Sequence, residues 1–293
     1  MGAGRWTEQA FRTYAKSRGR SVDAAGAVVD NLSNQEIFRS IRLQDELNPK
    51  NVIRECCDSE EHPNVVPVIL ALDVTGSMGQ AAVEVSKKLN VVMTNLYNTI
   101  NDVEFMIMGI GDMACDNCPA QASQFESDIR IADQLEKIYF EFGGGGNGFE
   151  SYSLAWYFAL NHTKIDAINN RHTKGIIITI GDEPLNPYLP KVGRMASFES
   201  VFGDNIEENI DTKELYKQVS EKFECYHIHV DHNKHEFYSF ENCSKSFIKI
   251  MGEDRVINSN LDNISNCIID IVSKNANHNI NQTNKNSNGE IVW

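Results

Sequence analysis

Val65-Val66-Pro67-Val68-Ile69-Leu70-Ala71-Leu72-Asp73-Val74-Thr75-Gly76-Ser77-Met78 is the stretch whose reading decides the fold. Its first eight residues are apolar, rich in β-branched side chains and bounded by turn residues, the pattern of a buried β-strand. Gly76 and Gly79 then allow a sharp turn, and Gln80 to Ile100 reads as a helix with Val85, Leu89, Val92, Leu96 and Ile100 along one stripe. Asp73, Thr75 and Ser77 stand at alternate positions above the carboxyl end of the strand. One carboxylate and two hydroxyls at one point suit a hard divalent cation, Mg²⁺ first, with Mn²⁺ or Ca²⁺ as alternatives. The plainer reading makes Ser77 the N-cap of the following helix.

Two later segments extend the pattern. Gly143-Gly144-Gly145-Gly146-Asn147-Gly148-Phe149-Glu150-Ser151 is a glycine-rich loop that opens a helix from about Tyr152 to His162. Gly175 to Ile180 reads as a second buried strand, ending in Gly181-Asp182-Glu183-Pro184. In open α/β sheets ligands bind beyond the carboxyl ends of the strands, where the strand order reverses. Asp73 and Asp182 are placed to meet there.

A strand ending in Asp-x-Thr-Gly-Ser-Met, a glycine-rich loop before a helix and a strand ending in Gly-Asp resemble the von Willebrand factor type A (vWA) domain, in particular its intracellular bacterial and phage members. The resemblance covers about Asn64 to Lys274. It implies a Rossmann-like, doubly wound, mostly parallel α/β sheet flanked by helices, and a metal-ion-dependent adhesion site. On these residues it assigns Asp73, Thr75, Ser77 and Asp182 to the metal. The threonine of the second loop is missing; Glu150 stands at its position, with Asn147 as the other oxygen donor. Glu150 either touches the ion, works through a metal-bound water or merely favours the helix N-terminus.

The function this implies is a divalent-metal-dependent protein-binding module, an intracellular adaptor or assembly component, with a MoxR-class AAA ATPase as one partner known for such relatives. A metal-dependent hydrolase using the same site is the first alternative. The three site loops hold no Lys or Arg to stabilise developing negative charge, which weighs against it. An RNA-associated, Ro-like vWA protein is the second alternative, resting on the basic segment Arg12 to Arg20.

Composition agrees with one large α/β domain. Residues 1–63 form a partly helical extension, with helices expected at Trp6 to Lys16 and Asn34 to Arg42. Residues 64–274 form the domain, and the Asn-rich residues 275–293 are expected to be disordered. Net charge is −14, and from Val65 to Ser273 there are sixteen Lys and Arg against thirty Asp and Glu. Acidity of that kind disfavours nonspecific nucleic-acid binding. No apolar h-region or membrane span is visible, so a cytoplasmic protein is expected. Seven cysteines, two of them adjacent, point to reduced thiols. Cys115 and Cys118 have zinc or redox spacing but fall in an expected loop. His227 and His229 share one face of an expected strand, partly solvated, with His232 and His235 in the loop after it. The remaining elements are read as a helix from Ile129 to Phe140, a helix from Asp211 to Phe223, a strand from Glu224 to Val230, a strand from Ser246 to Met251 and a closing helix from Leu261 to Lys274.

Overall fold

The computed structural model describes residues 4–141, 148–231 and 240–287, with backbone alone at 240–242 and 277–287. In chain order its elements are α1 (Glu8–Ser17), α2 (Asn34–Ile37), β1 (Arg54–Cys56), β2 (Val66–Asp73), α3 (Gly79–Thr99), β3 (Val103–Ile110), β4 (Ala120–Ala122), α4 (Arg130–Glu136), α5 (Ser153–Asn161) and β5 (Thr163–Ile165). There follow α6 (Asp166–Asn169), β6 (Gly175–Gly181), β7 (Tyr188–Leu189), α7 (Phe198–Val201), β8 (Ile210–Asp211), α8 (Thr212–Lys222), β9 (Phe223–Val230), α9 (Phe240–Met251), β10 (Val256–Ser259) and α10 (Ile264–Ser287).

The central sheet has the order β10-β9-β6-β2-β3-β4. Every pairing in it is parallel except β3 with β4, where Ala120 to Ala122 run back along Met108 to Ile110. Residues in β2, β3 and β6 are buried on both faces, as parallel strands covered by helices must be. The expected Rossmann-like, doubly wound α/β architecture is what the chain forms.

Alternation along β2 divides the core in two. Val66, Val68, Leu70 and Leu72 face the α3, α4 and α10 side, with Leu89, Leu96, Leu135 and Ile268 among their cluster. Ile69 and Ala71 face α5, α8 and α9, in a cluster with Trp156, Phe158, Val219 and Phe247. The N-terminal segment belongs to the first layer: Trp6, Phe11, Ile37 and Phe38 are buried in it. The Trp6 indole N–H donates to Asn90 Oδ1 of α3 at 3.0 Å, which satisfies a polar atom that burial would otherwise leave costly.

Four elements differ from the sequence expectation, among them the helix expected over Ile129 to Phe140, which stops at Glu136. Ser246 to Met251 is helical, the last two turns of α9. Its Ile-Lys-Ile alternation imitates a strand, but Cys243, Phe247 and Met251 recur every four residues and are its buried apolar side chains. The last strand is instead Val256–Ser259, paired with His227 to Val230. The expected helix over Asn34 to Arg42 stops at Ile37. The closing helix continues beyond Lys274 to Ser287.

Candidate metal centre

Because β2 has β3 on one side and β6 on the other, the connections leaving it turn opposite ways, and the crevice at its carboxyl end is the switch point of the sheet. Leu72 pairs with Ile180 and Asp73 with Ile110. Asp73 therefore lies at the centre of this edge, with Asp182 on one side and Asp112 on the other, each just past the end of its strand.

Asp73 is fully buried. Its Oδ1 accepts from the backbone N–H of Thr75 at 2.9 Å and from Thr75 Oγ1 at 2.5 Å. Its Oδ2 accepts from Tyr152 Oη at 2.7 Å, and that hydroxyl in turn accepts from the Glu183 N–H at 3.2 Å. Ser77 Oγ donates to Asp182 Oδ1 at 3.1 Å. The first and third loops are thus joined directly. Ser77 does not act as helix cap: it lies in a 3₁₀ turn, Gly76–Met78, and Met78 precedes α3 without a side-chain cap bond.

Tyr152 was not foreseen from the sequence. It fills the space under the crevice so tightly that a Cβ at Gly181 would lie 2.0 Å from its hydroxyl. Glycine at 181 lets the ring approach the strand end and reach Asp73.

Glu150 is held by its main chain against the third loop. Its N–H donates to Pro184 O at 3.1 Å and its carbonyl accepts from the Asn186 N–H at 3.4 Å. The side chain is 4% exposed, and its Oε2 has no hydrogen-bond partner among the described residues. Asp112, also missed, ties the loops together from the far side: its Oδ1 accepts from Ser151 Oγ at 3.0 Å and Asn186 Nδ2 at 3.1 Å. The signal for Asp112 was present in Gly111-Asp112, which repeats the Gly181-Asp182 ending on a neighbouring strand. Asn147 lies outside the described residues.

Electrostatics follow from this crowding. Burial, then the neighbouring Asp182, pushes the Asp73 carboxyl up to about 7. Burial and then Asp73, Asp116, Asp112 and Glu183 raise Glu150 well above the usual carboxylate range. The Tyr152 phenol is raised by burial and by Asp73, so it remains the donor of its bond. Among the described residues no Lys or Arg is a main influence on any of the three.

No family model and no curated protein matches the chain. Among solved structures it is similar to the pilus adhesin SpaC from Lactobacillus rhamnosus GG in its open conformation, with a TM-score of 0.47 and 12% identity over 81% of this chain and 31% of that one. It is similar to proximal thread matrix protein 1 of the mussel byssus in a form with a zinc-occupied MIDAS motif, with a TM-score of 0.44 and 10% identity over 78% and 47%. The vWF domain of the type V pilus tip protein Mfa5 from Porphyromonas gingivalis gives 0.41 and 12% over 71% and 94%. The chain spans less than a third of the adhesin's length (31%) and less than half of the byssus protein's (47%). Likenesses at this level carry no conclusion about function.

The donor set fits a hard cation in its chemistry: Asp73, Asp182 and Glu150 carry carboxylate oxygens, Thr75 and Ser77 hydroxyls, and the buried Oε2 of Glu150 has no hydrogen-bond partner among the described residues. Among the described residues no three His, Cys, Asp or Glu side chains form a ready-made cage; the hydroxyls here are bonded to the carboxylates. The other sequence clusters stay apart from this chemistry. None of the seven cysteines forms a disulfide, and burial pushes Cys118 up to about 12, so it is an inert thiol. His227 and His229 are buried at 0% and 2% exposure, which corrects the expectation of a solvated face. His227 donates to or accepts from Thr179 Oγ1 at 2.9 Å, stacks on Phe247 and is held neutral by burial. His232 and His235 lie outside the described residues.

Proposed function

We propose that this chain is a vWA-type protein-interaction module whose binding surface is completed by a divalent cation, Mg²⁺ first, held by Asp73, Thr75, Ser77 and Asp182 with Glu150 beside them. The observation that carries this is the pair Asp73 and Asp182, buried together at the switch point of the sheet and joined through Ser77. Two neighbouring buried carboxylates raise each other's pKa, and a bound cation favours their ionised form. When bound, the ion supplies an electrophilic coordination position to a partner's oxygen. The chain's own residues do the rest. Tyr152 fixes the orientation of Asp73, Asp112 anchors the second loop to the third, and the buried Pro184 and Asn186 hold the backbone of Glu150 beside them.

An intracellular adaptor role beside an AAA-type ATPase of the MoxR class is the setting this reading favours, in the cytoplasm. No helix among the described residues is long and apolar enough to cross a membrane.

Calorimetric titration of Mg²⁺ into chelator-stripped protein is the test. The parent is expected to bind one ion, and Asp73→Ala and Asp182→Ala to lose that binding while keeping the far-UV spectrum of the parent. A folded parent that binds no Mg²⁺, Mn²⁺ or Ca²⁺ would overturn the proposal.

A further inference from the structure

Away from the metal centre, Arg39-Ser40-Ile41-Arg42-Leu43 forms a ridge between two hollows. The larger, about 400 Å³, lies beside Ala120 of the edge strand β4 and has the size of a ligand pocket. Leu43, Pro49, Tyr139 and Val201 help to line it, and among the described residues Arg42 is the only charged group in its wall. The smaller, about 280 Å³, is lined by Arg18, Arg20, Arg39 and Lys137, with Glu136 as the one acid. Ile41 borders both hollows and is 89% exposed; Met195, 57% exposed, borders the larger. The ridge is held in place. Ser40 pairs with Tyr139 in an isolated parallel bridge, and its hydroxyl donates to Lys137 O at 2.7 Å.

Most of these cations are already engaged. Arg20 is paired with Glu136, Arg18 with Asp133 at 2.9 Å, and Lys137 with Glu46 and Asp133 at 2.7 and 2.6 Å. Glu36, which feels the charge of Arg39, spends its carboxylate on Ser33. Arg39 and Arg42 remain, exposed and in no ion pair among the described residues, on either side of Ile41; the Arg39 Nε donates only to Glu36 O at 2.9 Å.

We infer that the ridge and its larger hollow dock a protein segment carrying a large apolar side chain flanked by acidic residues. The apolar side chain fills the hollow beside Ile41 and Met195. Carboxylates on either side of it pair with Arg39 and Arg42, whose planar guanidinium groups hold a carboxylate through two parallel bonds. Charge complementarity selects this occupant. The chain has 41 Asp and Glu against 27 Lys and Arg, yet the walls of the two hollows hold five cations to one acid. A second copy of a chain with net charge −14 is repelled as a whole. The surface does not rest on the metal reading, since none of Asp73, Thr75, Ser77, Glu150 and Asp182 lines it.

The test keeps EDTA present throughout, so that the metal centre takes no part. A random dodecapeptide phage library is panned on the immobilised full chain, and the strongest binder is remade with a fluorescein label for anisotropy titration. Recovered peptides are expected to share a Phe, Leu, Ile or Trp beside Asp or Glu. The double variant Arg39→Glu/Arg42→Glu is expected to weaken the labelled peptide by about tenfold or more, the scale of reversing two exposed charge pairs. Salt at about 1 M should weaken it in the parent by screening, and Ile41→Asp should weaken it by removing the apolar contact. All three positions are exposed, so the circular dichroism spectrum, the melting temperature and Mg²⁺ titration should match the parent. Recovery no higher than from a blank surface, or equal affinity of the peptide for the charge-reversed variant, would overturn the inference. So would a concentration-dependent dimer abolished by Ile41→Asp, because the occupant would then be a second copy of this chain.

Discussion

Asp73 is held by two hydroxyls and one amide, yet burial and Asp182 still raise it to about 7 from 3.8. A carboxyl whose folded-state pKa lies above its unfolded value stabilises the fold fully below about 4, and that stabilisation is lost as pH rises through about 7. Asp116 at about 6 and Glu126 at about 7 are shifted in the same direction. In EDTA, the melting temperature of the parent relative to Asp73→Asn should therefore fall between pH 4 and pH 7, and Mg²⁺, which needs ionised ligands, should stabilise increasingly over the same interval. A pH-independent difference between the two proteins would contradict this. Gly181 gives a second expectation at this scale. An added methyl must displace the Tyr152 hydroxyl, so Gly181→Ala should cost about 1–3 kcal/mol in urea unfolding and weaken Mg²⁺ binding by misplacing Asp73; an unchanged urea midpoint and unchanged affinity would refute it. Asp73, Thr75, Ser77 and Asp182 were legible in the sequence because each sits at or just past the end of an apolar strand. Tyr152 and Asn186 were not, since their partners lie 79 and 74 residues away and only the folded sheet brings them together.

Among the elements, α9 shows where periodicity misleads. Over six residues Ser-Phe-Ile-Lys-Ile-Met satisfies either a period of two or of 3.6, and the longer spacing of Cys243, Phe247 and Met251 is what packs. Phe247 is fully buried, stacked on His227 and close to Tyr152. Phe247→Ala should cost about 3–5 kcal/mol as a large-to-small core change. Because the lost ring also supports Tyr152, Mg²⁺ affinity should drop as well. Equilibrium denaturation and calorimetry on the same variant check both, and a loss of under about 1 kcal/mol would place the ring outside the core. The long strands β2 and β6 were legible from their largely apolar runs, and β9 was expected over Glu224 to Val230 although Glu224, His227 and His229 interrupt it. The short edge pieces β4 and β10 were not. Ala120–Ala122 and Val256–Ser259 are too brief to carry a pattern, and their pairing depends on an edge already being there.

At the scale of the molecule, the two faces of one sheet are covered unequally in sequence. Helices from both ends of the chain, α1 and α10, close the same side as α3, so residues before Asn64 share a core with residues after Lys274. The hydrogen bond from Ser77 to Asp182 spans 105 residues. A cation bound between those loops therefore has no site until β2 and β6 have paired, late in the assembly of a parallel sheet built from non-local contacts. Its free energy belongs to the finished structure and not to the barrier that precedes it. Stopped-flow chevrons should then show Mg²⁺ leaving the refolding limb almost unmoved and slowing the unfolding limb. Equal shifts of both limbs would mean that the ion binds an earlier state. For a chain of this topology, the ion would act as a latch on the time axis: once seated, it lengthens the lifetime of the fold without hastening its arrival.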